Sequence, residues 1–351
     1  MSDAKYIGLD VHQATISVAV LDSSGKVVME AILETKAETI LAFIHGLRGS
    51  LQVTFEEGTC SAWLYALLKP HVTRVLVCDP RKKVGNKSDR IDARKLAELL
   101  RSNLLRSVFH EDTGLRTVKE LARSYLTMTE DLTRVMSRLK AIYRSWAIPC
   151  SGKQVYAPRH RAAWLAKITE AGVRRRAELS YQQLDALRSL QQQARKELLA
   201  EGRKHSATQL LRQIPSIGPI RAVLLVALIQ TPHRFRTKRQ LWPYSGLALE
   251  TRNSAEYRML HGQLKRSKKV VAVRGLNKNH NHDLKNVFKG AAMRAAAVEG
   301  PFQEFYAALL AKGMKPPMAR LTLARKIAAI TLIVWKKGVR FDAEHLKQRA
   351  A

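Results

Sequence analysis

The chain has 351 residues, 46% of them hydrophobic, and its 61 Lys and Arg against 29 Asp and Glu leave a formal charge of +32. That length and apolar content fill about two or three domain cores and exclude a disordered tail, while the charge calls for a polyanionic partner, DNA or RNA. The apolar run at residues 222–229 is far short of the roughly 20 residues that span a bilayer, no secretory pattern stands at residues 1–7, and Cys60, Cys78 and Cys150 show neither metal spacing nor a disulfide framework, so no membrane partner and a reducing cytoplasm are expected.

In chain order, two apolar runs flank Asp10 within residues 6–21, and Ser23, Ser24 and Gly25 offer a turn before a strand at residues 27–33. A helix at 38–47 leads to a strand at 51–55, and a second helix at 61–68 leads to a strand at 74–78. Strands separated by helices after an initial meander predict a mixed sheet with helices packed on it. Ser88 followed by Asp89 is a cap for the next helix, whose apolar face is Ile91, Leu96 and Leu99.

Beyond Gly114 the pattern changes. Leu121, Tyr125, Met128, Leu132, Val135, Leu139 and Ile142 alternate spacings of four and three, the seam of a long helix that needs a partner. Residues 149–160 read as a loop, and 175–199 as a returning helix through Leu184, Leu187 and Leu198. The pair packs either internally or against another subunit. Ile214-Pro215-Ser216-Ile217-Gly218-Pro219 then forms a tight turn, suited either to phosphate contact through its amides or to joining two buried helices.

Asp10 ends an apolar strand run, Glu56 and Glu57 follow the 51–55 strand, and Asp89 and Asp92 stand one helical turn apart on one face. Four convergent acids repel unless divalent cations neutralise them. Magnesium, with manganese as a substitute, suits hard carboxylate oxygens and phosphodiester chemistry. Glu57 is chosen as the second acid, because alternation places it on the side of Val53 and Phe55, with Glu56 as the alternative.

Further along, nine Lys or Arg and one acid, Asp283, lie between Arg258 and Gly290. Phosphate contact is expected through Arg258, Lys265, Arg266, Lys268, Lys269, Arg274, Lys278 and Lys285. Trp242 and Tyr244 read as core residues in preference to base-stacking platforms, and His280 with His282 lacks the further ligands that a zinc site needs.

The ordered set Tyr6-Ile7-Gly8-Leu9-Asp10, Phe55-Glu56-Glu57-Gly58-Thr59, Ser88-Asp89-Arg90-Ile91-Asp92, Ile214-Pro215-Ser216-Ile217-Gly218 and Tyr244-Ser245-Gly246-Leu247 resembles the insertion-sequence transposases. Those proteins carry an N-terminal RuvC-like DEDD domain and a C-terminal catalytic-serine domain, and form the family of bridge-RNA-guided recombinases. The resemblance covers essentially the whole chain. It implies an α/β ribonuclease-H-like domain over residues 1–113, a coiled-coil-like helical region over 114–208 and a mainly helical serine domain over 209–345. Asp10, Asp89 and Asp92 resemble three of the family's four acids, and Ser254 matches the catalytic serine by its offset from Gly246-Leu247. Two departures stand out: Ala255 follows the serine where the family often has glycine, and the downstream Ser-Lys-x-Gly signature is replaced by residues 274–285.

The resemblance further implies donor and target DNA, a bridge-like guide RNA, a dimer assembling to a tetramer in a synapse, and strand exchange through a serine-linked DNA intermediate on the nucleoid. A junction-resolving nuclease that directs water, with Ser254 incidental, is the competing enzyme reading. A non-catalytic nucleic-acid scaffold is the competing binding reading.

Overall fold

The computed structural model describes residues 4–79, 88–110, 114–252, 257–266 and 272–347. The chain divides into two compact units, Met1–Asp112 and Thr113–Ala351.

In the first unit β1 (Ala4–Val11), β2 (Thr15–Leu21) and β3 (Val27–Glu34) form an antiparallel meander. After α1 (Ala37–His45), β4 (Ser50–Glu56) returns parallel to β1; after α2 (Ser61–Leu68), β5 (Arg74–Cys78) adds parallel to β4. The order is β3-β2-β1-β4-β5, the mixed sheet that the alternation of strands and helices predicts. Its two faces follow from the period of two along each strand. Ile7, Leu9, Ile16, Val18, Val53 and Phe55 bury one face under Ile40 and Ile44 of α1 and Leu64 and Leu68 of α2. Leu76 and Cys78 bury the other under Leu96 and Leu100 of α3 (Asp89–Arg101).

Gly8 decides how closely α3 approaches that second face. A Cβ on Gly8 would sit 2.1 Å from the Ala93 carbonyl oxygen and 2.6 Å from the Ala97 nitrogen, so only a residue without one lets the helix backbone lie against β1. Ser88 caps α3 as expected, its Oγ accepting from the Ile91 amide at 3.3 Å.

The second unit begins with α4 (Arg116–Ser145), a helix of 30 residues. Its partner is internal: after a short α5 (Arg161–Leu165), the returning α6 (Ala171–Gly202) packs along it. Val135, Leu139, Ile142 and Tyr143 meet Ala177, Tyr181 and Leu184 at the far end of this hairpin. The Tyr143 and Tyr181 hydroxyls lie 3.1 Å apart in that core, and Tyr181 donates to the Val155 carbonyl at 2.9 Å. Burial pushes both phenols up. The stretch between the helices, expected as plain loop, contains tight helical turns at Gln154–Tyr156 and Pro158–His160, whose Val155 and Tyr156 are buried in the same core.

At the near end, Val118 and Ala122 of α4 and Leu198 of α6 belong to a larger core. Around it lie α7 (Ser206–Leu211), α8 (Pro219–Ile229), α9 (Lys238–Tyr244), α10 (His282–Ala297), α11 (Pro301–Ala311) and α12 (Pro316–Lys337), followed by α13 (Glu344–Lys347). Ile214 and Ile217 of the tight turn are buried there, and Arg221 donates to the Ser216 carbonyl at 3.0 Å, so the turn is tied to packing. Trp242 also packs against this core, its indole donating to the Arg325 carbonyl at 3.2 Å. Among the described residues no helix is long and apolar enough to cross a membrane.

One feature of this unit lay outside the helical expectation. Residues 249–276 contain two strand pairs, β6 (Leu249–Arg252) with β9 (Ala272–Leu276), and β7 (Tyr257–Leu260) with β8 (Gln263–Arg266). His261 and Gly262, at φ 51° and 74°, make the two-residue turn between β7 and β8. Both values are positive, as the tightest hairpin turn requires.

Candidate active site

Asp10 sits near the end of β1, two residues beyond Gly8, and alternation therefore places it on the face that α3 covers. It is buried, at 7% exposure. The first turn of α3 supplies Asp89, and Asp92 one turn later is buried to the same degree. The strand end and the helix start converge through His12: its Nε2 lies 3.3 Å from Asp10 Oδ2 and 3.5 Å from Asp89 Oδ1. One ligand atom each from Asp10, His12 and Asp89 fall within 4.8 Å of one another, a geometry able to hold a metal ion. Asp92 and both glutamates stand outside this tight group; Lys95 Nζ approaches Asp92 at 4.0 Å.

Sequence reasoning passed over His12, which lies just beyond the end of β1 at Val11 and so outside the alternation of the strand.

The acids at the end of β4 part company. Glu57, the expected second acid, pairs with His110, Oε2 to Nε2 at 2.6 Å, and the His110 ring lies 5.3 Å from that of Tyr65 on α2. Glu56 pairs across the sheet with Cys78, and Cys78 packs on Leu96 and Leu100, so register sets Glu56 on the α3 face with Asp10. Glu56 also lines, with Val11, His12, Gln13 and Thr59, a cleft of about 360 Å³. Ser61 shapes the turn below, its Oγ accepting from the Gly58 amide at 2.5 Å.

A charged clamp fixes the start of α3. Glu30 of β3 accepts from Arg90 Nε and from Arg94 Nη2, each at 2.6 Å, with further short contacts from both guanidiniums. Arg94 and Arg90 together hold the Glu30 carboxyl down to about 2. Its two donors flank Asp92 in sequence, so the clamp bears directly on the acid-carrying turns.

In the second unit Ser254, Lys268 and Lys269 lie outside the described residues, as do the side chains of Arg258, Arg266 and Arg274. Register sets Arg258 opposite Lys265 and Tyr257 opposite Arg266. Lys265 and Lys278 are exposed, and Lys285 is half-buried with Nζ 3.3 Å from His280 Nε2. Burial and Lys285 push the His280 imidazole below its ordinary value. Gly246, at φ 65°, leaves room for that ring, since a Cβ there would stand 2.5 Å from His280 Cδ2. His280 thus packs against Gly246 and Lys285, and the Tyr244 ring meets that of Phe235 at 5.2 Å.

A mixed sheet ordered 3-2-1-4-5, with carboxylates at the end of its central strand and on the helix across it, defines a RuvC-like domain, here joined to a long helical hairpin and a mainly helical region. Residues 7–145 match a family model of DEDD transposases, and residues 208–307 match the model described as transposase IS116/IS110/IS902 family. The chain is also 21% identical, over 76% of its length and 74% of the relative's, to the transposase for insertion sequence element IS1111A of Coxiella burnetii (strain RSA 493 / Nine Mile phase I). The chain belongs to the IS110/IS1111 family of transposases.

The ligand set fits a divalent cation in its chemistry: a buried aspartate, a second aspartate and an imidazole offer three ligand atoms at one point.

Proposed function

We propose that this transposase is an RNA-guided recombinase that exchanges DNA strands through a serine-linked intermediate. The observation that carries the reading is the convergence of Asp10, His12 and Asp89 at one point in a chain of transposase lineage. Asp10 and Asp89, joined by Asp92 and a β4 acid, hold magnesium or manganese, and register favours Glu56 for that last position over Glu57. The bound cation supplies Lewis acidity toward the phosphodiester and its departing oxygen.

Ser254 Oγ then attacks the phosphorus, the bond to one deoxyribose oxygen breaks, and the serine proton passes to that oxygen. A hydroxyl of the second DNA end attacks the phosphoserine, and Oγ regains a proton as it leaves. Each step exchanges one phosphoester for another, so bond energy is conserved, as attack by water would not allow. Arg258, Lys265, Arg266, Lys268, Lys269, Arg274, Lys278 and Lys285 bind phosphates of the DNA and of a bridge-like guide RNA, and the active assembly is a dimer that forms a tetrameric synapse in the cytoplasm.

The test uses the full chain with its co-purified RNA, labelled donor and target duplexes and magnesium, stopped in denaturant. Native protein carries covalent DNA mapped to Ser254; Ser254→Ala binds both nucleic acids and carries none, and Asp10→Asn loses both adduct and recombination. Full recombination by Ser254→Ala, or an adduct at another residue, overturns the assignment and leaves the water-directing nuclease.

A further inference from the structure

Mg2+ and Mn2+ are not equivalent guests for the ligand atoms gathered at Asp10. Mg2+ is a hard ion that favours all-oxygen surroundings and keeps several waters. Imidazole nitrogen suits first-row transition ions better than it suits Mg2+; Mn2+ shares the carboxylate preference of Mg2+ but, as a member of that row, gains more from a nitrogen ligand. An imidazole between carboxylates therefore adds less to the binding of Mg2+ than to that of Mn2+.

His12 stands in that place. Its Nε2 lies 3.3 Å from Asp10 Oδ2 and 3.5 Å from Asp89 Oδ1. Neighbouring ligands about 2.1 Å from a shared ion stand about 3.0–3.4 Å apart at right or tetrahedral angles, so these separations are close to those of ligands around one cation. The imidazole is half exposed, so solvent reaches the point where it meets the two carboxylates. Because it follows β1 directly, no long loop has to be ordered to deliver it.

We infer that His12 is a ligand of the cation held by Asp10 and Asp89, and that its nitrogen makes the centre select Mn2+ over Mg2+. The inference rests on the reading that these aspartates bind a cation. The alternative role for His12 is a polar partner that bridges the two carboxylates only while no ion is bound.

Pulsed electron paramagnetic resonance on the tag-free full chain with one equivalent of Mn2+ separates the two. Native protein shows nitrogen modulation of the bound Mn2+ signal. His12→Gln keeps Mn2+ but loses the modulation, and its Mn2+ affinity falls about tenfold while Mg2+ affinity, read by competition, changes little. Bound Mn2+ without nitrogen modulation in the native protein overturns the inference, and so does modulation that persists in His12→Gln, because another histidine is then the ligand. Asp10→Asn distinguishes this failure from that of the underlying reading. Mn2+ affinity unchanged in Asp10→Asn shows that the aspartates hold no cation, whatever His12 does.

Discussion

The acid site and the basic segment are built in opposite ways. Asp10, His12 and Asp89 come from a strand end, the turn after it and a helix that starts far along the chain, and they meet only because sheet register and the approach of α3 bring them together. The cations between Arg258 and Lys285 are neighbours in sequence, and of these Arg258, Lys265, Arg266 and Arg274 fall on short strand pairs and Lys285 on the first turn of α10. The first arrangement is therefore a product of packing. The second is a matter of sequence composition.

The sharpest way to break that contrast is to disturb the packing without touching a charge. Gly8→Ala places a methyl against the Ala93 carbonyl, and overpacking of this kind costs about 1–3 kcal/mol. The variant is expected to unfold at lower urea concentration and also to bind Mn2+ more weakly, although no ligand has changed. Equal metal affinity in native and Gly8→Ala protein, measured by titration, would show that the helix approach does not set the site.

Glu30→Gln gives a smaller effect with its own pH signature. The carboxyl is held near 2 in the folded protein against an ordinary value of 4.5, so the clamp contributes above about pH 4.5 and its contribution is lost as pH falls toward 2. The native protein should exceed Glu30→Gln in Tm at neutral pH, with the gap closing in acid. A gap that is constant from about pH 7 to pH 3 would assign the loss to something other than the ion pair.

The smallest effects belong to the basic segment. Lys265→Gln and Lys278→Gln, both at exposed positions, should leave Tm unchanged and each lower the slope of log affinity against log salt by about 0.9 on duplex DNA. An unchanged slope in the double variant would place these lysines off the phosphate path.

The same contrast explains what could be read from sequence. Strands β1 to β5 and the Ser88 cap were legible because alternation and capping are local signals, and the α4 seam was legible because it runs for many turns. Which seam α4 meets was not, since an internal α6 and a second subunit satisfy the same spacing. The different surroundings of Glu56 and Glu57 could not be read locally: the pairing of Glu56 with Cys78 and the contact of Cys78 with α3 are long-range facts. His12 escaped notice because one histidine among polar residues has no pattern until Asp89 arrives beside it. The strand pairs after Leu249 are four or five residues each and rich in Lys and Arg, too short and too polar for alternation to register, although the His261-Gly262 turn was a usable clue.

The hairpin of α4 and α6 has a mechanical consequence. Both helices run unbroken from the near core, where Val118, Ala122 and Leu198 are buried, to the far core around Tyr143 and Tyr181. At 1.5 Å per residue, the 30 residues of α4 make a rod of roughly 45 Å. A stiff rod anchored at its base acts as a pointer: a turn of about 10° in the near core sweeps the far end through about 8 Å, given that length. The position of the tip is thereby set by the core that also buries Leu247 and the apolar face of α10, and any repacking there would be magnified along the rod.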